Sequence, residues 1–190
     1  RIVLAARERG CLAEALVIAS ALSVPDPRER PLEKAQAADQ AHLRFRDERS
    51  DFLSLVNLWQ FFEALAGEKL SHRRQVDRCR EAFVNHLRLR EWRDVHRELA
   101  AQLAESGWTW NPKLPAAVDA ARYRAIHETL LAGLLSNVGL KDGEGEGYGG
   151  ARGLRFHLHP GSGLAKKGGR WILAAELVET TRLYARCAGR

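Results

Sequence analysis

The spacing of the apolar residues changes once along this chain, close to Leu140, and that change limits the fold classes open to it. Before this point apolar residues recur at helical spacing, as in the stripe over residues 12–22. After it, apolar and polar residues alternate over residues 154–158, which is the period of a half-buried strand. The sequence therefore predicts a mainly α chain with a small β part at its C-terminal end.

Breaks and caps divide the first part into several helices. Gly10 separates two of them, and Pro25 ends the second, because proline lacks an N–H group and disfavours helix before it. Pro31 suits the first turn of a polar helix, and Ser50 suits the N-cap of a helix with an apolar face. Further helices are predicted at about 72–85, 91–105 and 119–136. The predicted core of this part includes Leu16, Leu22, Leu55, Trp59 and Leu134.

The last part of the chain is predicted to be an unfinished barrel. Residues 141–150 hold five glycines and three acids, which is typical of a flexible linker or a hairpin tip. Strands are predicted at 154–158, 171–181 and 183–185, too few to close a five-stranded barrel. We therefore expect a helical domain over residues 1–138 and an incomplete barrel over residues 139–190. Its unpaired strand edges would make the barrel the less stable part.

Positive charge is concentrated in two stretches of a chain whose net charge is +6. Residues 147–175 contain five cations and no acid, and residues 73–97 contain eight arginines against four acids. Arginine binds phosphate in a bidentate manner and stacks on bases, so these stretches favour an anionic partner. The alternative is that the arginines only solvate exposed helix faces and an exposed loop.

Motifs for catalysis are missing from the sequence. It has neither a GxxxxGK[ST] phosphate loop nor an Asp-Glu-Ala-His run for magnesium, and residues 161–167 resemble the former only superficially. His157 and His159 are either a metal pair or a surface pair, and no third ligand has suitable spacing. We therefore expect no catalytic residue, no bound cofactor or metal, and no ATP hydrolysis by these residues alone.

Several strings, in a fixed order, resemble one protein family. They include Asp-Pro-Arg-Glu-Arg-Pro at 26–31, Ser-Asp-Phe-Leu-Ser-Leu-Val-Asn-Leu-Trp at 50–59, the run from Cys79 to Trp92, and residues 156–164 and 171–186. Together they resemble the region after the winged helix in DEAH-box ATP-dependent RNA helicases, and the first string is particularly similar to the bacterial HrpA branch. The resemblance covers essentially the whole chain and implies a helical ratchet-like domain followed by the start of an OB-fold.

The resemblance also implies a function for the parent protein. Two RecA-like domains would use ATP and Mg²⁺ to step along RNA in the cytoplasm. The helical domain and the OB-fold would form the other wall of the channel for single-stranded RNA. Whether DNA is also bound stays open. The RecA-like motor and the winged helix would be partners within the same parent chain. The implied backbone-binding residues are Arg88, Arg90, Arg93, Arg152, Arg155, Lys166, Lys167 and Arg170, with Arg182 and Arg186 on the last predicted strand as weaker candidates.

Two alternatives stay open at this point. The chain starts at Arg1 within an apolar-periodic run and contains no Met, so we expect a fragment of a longer protein. If it were instead complete, it would be a stand-alone, non-catalytic module for RNA binding or protein docking. A purely structural scaffold is the third hypothesis, and it predicts no salt-sensitive RNA binding.

Overall fold

The computed structural model describes residues 1–143 and 145–190, and it has the predicted order of helices before strands. Glu144, which the predicted linker includes, lies outside the described residues. The helices are α1 (Ile2–Glu8), α2 (Leu12–Ala21), α3 (Ala35–His42), α4 (Asp51–Gly67), α5 (His72–Glu81), α6 (His86–Glu105) and α7 (Ala120–Leu134). In these two ranges no helix has both the length and the apolar character needed to cross a membrane.

Side-chain caps explain where the helices begin. The Ser50 hydroxyl accepts a hydrogen bond from the Leu53 N–H (3.3 Å), as predicted for the N-cap of α4. The side chain of Asn85 accepts one from the Arg88 N–H (3.1 Å), and α6 therefore begins at His86, five residues before the predicted start. Phe83, with a φ of 53°, lies in the break that separates α5 from α6. The predicted helix over 72–85 was too long because this Asn cap was not recognised.

The chain divides into two compact units, and each is assembled from separate segments. The first comprises Arg1–Ala15, Asp47–Ser54 and Pro115–Arg190, and the second comprises Leu16–Arg46 and Leu55–Leu114. The domain boundary predicted between residues 138 and 139 stays a prediction.

Trp92 is the largest fully buried side chain of the second unit. Its indole Nε1–H donates to the Val17 carbonyl (3.1 Å) and to the Ser20 hydroxyl (2.9 Å), and its ring lies 5.0 Å from that of Trp59. The core prediction is confirmed for Leu16, Leu55 and Trp59. Leu134 is only half-buried. Leu22 is 39% exposed, contrary to prediction, because α2 ends one residue before it.

The strands of the first unit close into a five-stranded barrel. They are β1 (Val138–Lys141), β2 (Gly147–Gly150), β3 (Arg155–Leu158), β4 (Trp171–Glu179) and β5 (Leu183–Gly189). The order around the barrel is β1-β2-β3-β5-β4, with β3 and β5 parallel and every other pair antiparallel. Tyr148, Phe156, Ile172, Ala174 and Ala185 fill its interior. The prediction of an incomplete barrel with free strand edges is therefore wrong.

Glycines explain why two strands were missed. The segment interpreted as a flexible linker or a hairpin tip supplies the end of β1 and all of β2, which pair antiparallel as a hairpin, although glycine is a poor strand former. A Cβ atom on Gly139 would lie 2.5 Å from Phe156 Cζ, and one on Gly150 would lie 2.8 Å from Phe156 Cε1. These glycines make room for the buried Phe156 ring, and such a requirement is invisible in a local pattern.

Replacing Gly139 by alanine is expected to destabilise the chain by about 1–3 kcal/mol, because the added methyl group overpacks the barrel core. Urea unfolding followed by circular dichroism measures the change. Gly145→Ala is the matched control, since its Cβ would make only ordinary contact, 3.5 Å from the Asp142 carbonyl oxygen. Equal midpoints for the two variants would contradict the role assigned to Gly139.

Candidate nucleic-acid interface

A row of in-register residues crosses the outer face of the barrel. Trp171 pairs with Leu140, Leu140 with Gly149, and Gly149 with Arg155. The next residues along β4 and β3, Ile172 and Phe156, point into the core, so Trp171 and Arg155 point outward. Trp171 is 56% exposed. The backbones of Trp171 and Arg155 thus lie about 14 Å apart along the sheet, at three strand spacings, with Leu140 and Gly149 between them.

Sequence reasoning identified Arg155 in this row but missed Trp171. The alternation of Trp171 with the apolar Ile172 at the start of a strand was a signal that could have placed the indole outside. Arg155 also forms an ion pair with Asp142, and both side chains are exposed. An exposed pair of this kind contributes little to stability, so another anion can readily replace Asp142 as the partner of Arg155.

The loop between β3 and β4 carries three predicted binding residues, Lys166, Lys167 and Arg170, and all three are exposed. The backbone of this loop is anchored at two points. Tyr148 Oη donates to the Gly169 carbonyl (2.9 Å), and Arg190 Nη1 donates to the Lys167 carbonyl (3.1 Å). Gly168 packs so closely over the Tyr148 hydroxyl that a Cβ atom there would overlap it. The glycines of this loop serve close packing.

Asp51, at the start of α4, holds the other half of the same loop. Its buried carboxylate accepts hydrogen bonds from Ser162 Oγ (2.6 Å), the Gly163 N–H (2.7 Å) and the Ala188 N–H (3.0 Å). Sequence analysis missed this residue because its partners are more than 100 positions away along the chain. Asp51 therefore positions the loop that presents the cations.

The cationic end of this loop is joined to β1. The Lys141 N–H donates to the Arg170 carbonyl (2.8 Å), so the backbone of Lys141 lies beside the end of the loop. Acids from elsewhere in the chain also reach this region. Glu48 pairs with Lys167 (3.6 Å), and both side chains are about 70% exposed. The positive charge of residues 147–175, which contain no acid, is thus partly neutralised by Glu48.

The remaining barrel arginines are dispersed. Arg152 is exposed in the turn between β2 and β3 with a φ of 58°, at the opposite end of β3 from the cationic loop. Arg182 was predicted on the last strand, but it lies in the turn before β5. Arg186 is on β5 and pairs with Glu176 (3.5 Å). The structure therefore brings Lys166, Lys167 and Arg170 together on one loop but does not gather all the predicted cations.

The three arginines predicted on α6 differ in their surroundings. Arg88 is half-buried, and its Nη1 donates to the Asp26 carbonyl (3.0 Å), which makes it a structural residue. Arg90 is exposed, and the Arg93 guanidinium lies 5.0 Å from the centre of the Phe62 ring. Arg90 and Arg93 are thus the better candidates for contact with an anion.

Histidines form no metal centre in the part of the chain that is described, where no group of three or more potential ligands occurs. The rings of His157 and His159 instead both lie close to the Tyr184 ring, with centroid distances of 6.3 and 5.9 Å. The His159 Nδ1 accepts from the Gly161 N–H (3.1 Å). The pair is therefore aromatic packing at the end of β3.

One serine and histidine pair has the spacing of a nucleophile and its base. Ser50 Oγ lies 2.7 Å from His127 Nε2, and His127 Nδ1 lies 2.7 Å from the Tyr123 carbonyl. Burial lowers the pKa of His127 and favours the neutral ring. Ser50, however, is fully buried and caps α4, so no substrate reaches its hydroxyl. The pair stabilises the fold and offers no catalysis.

Two family models match the chain. The helicase associated domain (HA2), ratchet-like, matches residues 1–55, and the oligonucleotide/oligosaccharide-binding (OB)-fold matches residues 126–189. The second match includes all five strands of the barrel, whose order is that of an OB-fold. Fold and matches together define a class of protein, in which a helicase-associated helical segment precedes an OB-fold.

Individual relatives narrow this class. The chain is 47% identical over its full length to the ATP-dependent RNA helicase HrpA of Escherichia coli, and 44% identical over 98% of its length to the HrpA homolog of Haemophilus influenzae. It is 25% identical to the pre-mRNA-splicing factor ATP-dependent RNA helicase prp22 of Schizosaccharomyces pombe over 97% of its length. The chain spans only 14–15% of the length of these relatives. Over essentially its whole length the chain is thus similar to the helicase-associated and OB-fold region of HrpA-type ATP-dependent RNA helicases.

Proposed function

We propose that this chain forms part of the wall of a channel for single-stranded RNA in an ATP-dependent helicase. Its task there is to hold the nucleic-acid backbone without reading the base sequence. Backbone contacts of this kind are electrostatic and carry no sequence information. The relatives named above are ATP-dependent RNA helicases, which supports RNA as the nucleic acid.

One observation carries the proposal: the outer face of the barrel combines an exposed aromatic ring with cations. OB-folds bind oligonucleotides on the face of their second and third strands. Here that face presents Arg155 beside Gly149, with Trp171 two strands from Gly149. Stacking of bases on an aromatic ring is tolerant of sequence, and a guanidinium holds phosphate. The anchored loop with Lys166, Lys167 and Arg170 extends the positive surface from the start of β4.

The rest of the helicase activity falls to other domains in this proposal. ATP and Mg²⁺ would be bound by RecA-like motor domains, and those domains and a winged helix would be the partners of this chain within one parent protein. A cytoplasmic location goes with this assignment. We also propose residues 1–138 and 139–190 as the two modules of the chain.

A triple variant tests the proposal. Replacing Lys166, Lys167 and Arg170 by alanine should weaken binding to all single-stranded sequences about equally. Each lost phosphate contact lowers the slope of log K against log salt by about 0.7, so the slope should fall by about 2. Fluorescence anisotropy with labelled oligo-U and a mixed-sequence oligomer, each titrated at several salt concentrations, measures both effects.

The control variant replaces Lys34, Lys69 and Lys113, which are exposed lysines, by alanine. It loses the same net charge, so it separates local contacts from the field of the whole chain. If the loop variant binds oligo-U with the affinity and salt slope of the control, the loop lies outside the channel and its charges only solvate the surface.

A further inference from the structure

Two basic side chains of the second unit, His86 and Arg93, contact Phe62, and two more, His72 and Arg90, lie near His86. His72 is the first residue of α5 and His86 is the first residue of α6, and their rings lie 5.2 Å apart. The His86 ring lies 6.2 Å from that of Phe62 on α4, and the Arg93 guanidinium lies 5.0 Å from the same ring. His86, Arg90 and Arg93 recur at i, i+4 and i+7, so they share one face of α6. We call these four basic residues, His72, His86, Arg90 and Arg93, the α5–α6 cluster.

No carboxylate of the described residues pairs with the α5–α6 cluster. Other arginines of the same two helices do have such partners: Arg78 pairs with Glu81, Arg80 with Asp77, and Arg97 with Asp94. Arg93 also keeps a buried Nε–H without a hydrogen-bond acceptor, which is the one buried unpaired side-chain group found in the described chain. The cluster therefore lacks ion-pair compensation within the described chain.

The backbone adds to this positive potential. Both α5 and α6 begin in the cluster, and neither has an acidic residue in its first turn. The N-terminal end of a helix carries a partial positive charge and favours anions. Here basic rather than acidic residues, His72 and His86, occupy the first positions. The helix ends therefore add to the attraction that Arg90 and Arg93 exert on an anion.

We propose that the α5–α6 cluster binds one phosphate group of the nucleic-acid backbone, with Arg90 and Arg93 as its cations and His72 and His86 as ring N–H donors. This inference rests on the proposed function and deepens it, because it assigns a phosphate-binding site to the helical part. His72 is exposed and His86 is half-buried, so a ligand can reach the cluster from solvent.

The proposal predicts that binding strengthens as pH falls. Burial, and then the neighbouring His72, Arg90 and Arg93, lower the pKa of His86 below its ordinary value of 6.5. No acidic group acts against this shift; α5 contributes His72, α6 contributes the arginines, and α4 contributes the apolar Phe62. His86 is therefore neutral at pH 7.5 in the free chain. A bound anion favours the protonated ring, so binding raises its pKa and takes up a proton.

Imidazole NMR of the 190-residue chain tests the site directly. Sulfate and oligo-U are suitable probes, because neither sulfate nor a phosphodiester titrates in the range in which histidine does, roughly pH 5.5 to 7.5. We expect both probes to shift the His72 and His86 signals and to raise the pKa of His86. The signal of His42, which lies outside the cluster, should stay in place. Unmoved His72 and His86 signals with both probes would overturn the proposal.

Charge variants show whether the site contributes to nucleic-acid binding. Arg90→Gln with Arg93→Gln should weaken oligo-U binding about tenfold at low salt and abolish the sulfate-induced shifts. The control, Arg80→Gln with Arg97→Gln, removes the same charge from exposed and ion-paired positions and should do neither. His86→Gln should keep much of the affinity and lose its pH dependence.

The outcomes distinguish this inference from the proposed function. If the barrel-loop variant loses oligo-U binding while the Arg90/Arg93 variant matches its control, the α5–α6 cluster is not a phosphate site and the proposed function stands. If sulfate shifts the two histidines but oligo-U does not, the cluster binds free anions only and its assignment to the nucleic-acid backbone is overturned.

Discussion

Replacing Asp51 by asparagine is expected to destabilise the folded chain by about 2–4 kcal/mol. The carboxylate is buried and accepts from a hydroxyl and two backbone N–H groups, at distances between 2.6 and 3.0 Å. An asparagine amide has the same shape, but its NH₂ group is a donor and would face another donor. The loop with Lys166 and Lys167 should loosen, because Ser162 and Gly163 lose their anchor.

Urea unfolding measures the stability change, and hydrogen exchange of the Gly163 and Ala188 amides measures the loosening. Asp39→Asn is the control, since Asp39 pairs with Arg30 where both side chains are more than half exposed. Loss of such a surface pair changes the free energy of unfolding little. If Asp51→Asn is as stable as Asp39→Asn, the carboxylate does not hold the loop as we describe.

Replacing Trp92 by alanine is expected to cost about 3–5 kcal/mol, the range for deleting a buried aromatic side chain. The ring is fully buried against Trp59, and its Nε1–H has two acceptors on α2. Trp92→Phe keeps an aromatic ring but loses the donor, so we expect a smaller loss, about 1–2 kcal/mol. The effect bears on function because Arg90 and Arg93 flank Trp92 on α6.

Trp171→Ala is the contrasting control for this series. Trp171 is 56% exposed at the start of β4, so its removal should change the unfolding midpoint little. It should instead weaken oligo-U binding, by about 1–3 kcal/mol for one lost stacking partner. Equal destabilisation by the alanine variants of Trp92 and Trp171 would contradict the division into a core and a binding tryptophan.

Local signals predicted the helices well because their causes are local. The apolar stripe over residues 12–22 and the Ser50 cap lie within a few residues of the structure they determine. At Asn85 the local signal was also present in the sequence, but the predicted helix boundaries did not take this N-cap into account. The start of α6 was therefore predictable from Asn85, whereas the apolar periodicity of the helix does not mark where it begins.

The closed barrel was not predictable in this way because its causes are distant in sequence. Gly139 and Gly150 look like linker residues until Phe156 is placed between them. The same holds for the candidate site. The exposure of Lys166 and Lys167 followed from their sequence context, but the contacts that fix their loop come from Asp51, Tyr148 and Arg190. The charged residues can be identified from the sequence, but where they lie in the fold depends on contacts between residues that are distant in the chain.

The central claim is that this chain binds the backbone of single-stranded nucleic acid, and its salt dependence tests that claim most directly. Fluorescence anisotropy with oligo-U and with a mixed-sequence RNA of equal length, between about 50 and 200 mM salt, gives the affinity and its slope. We predict similar affinities for the two RNAs and a steep decrease as salt increases. Absence of binding at 50 mM salt, or binding that is indifferent to salt, would contradict the account.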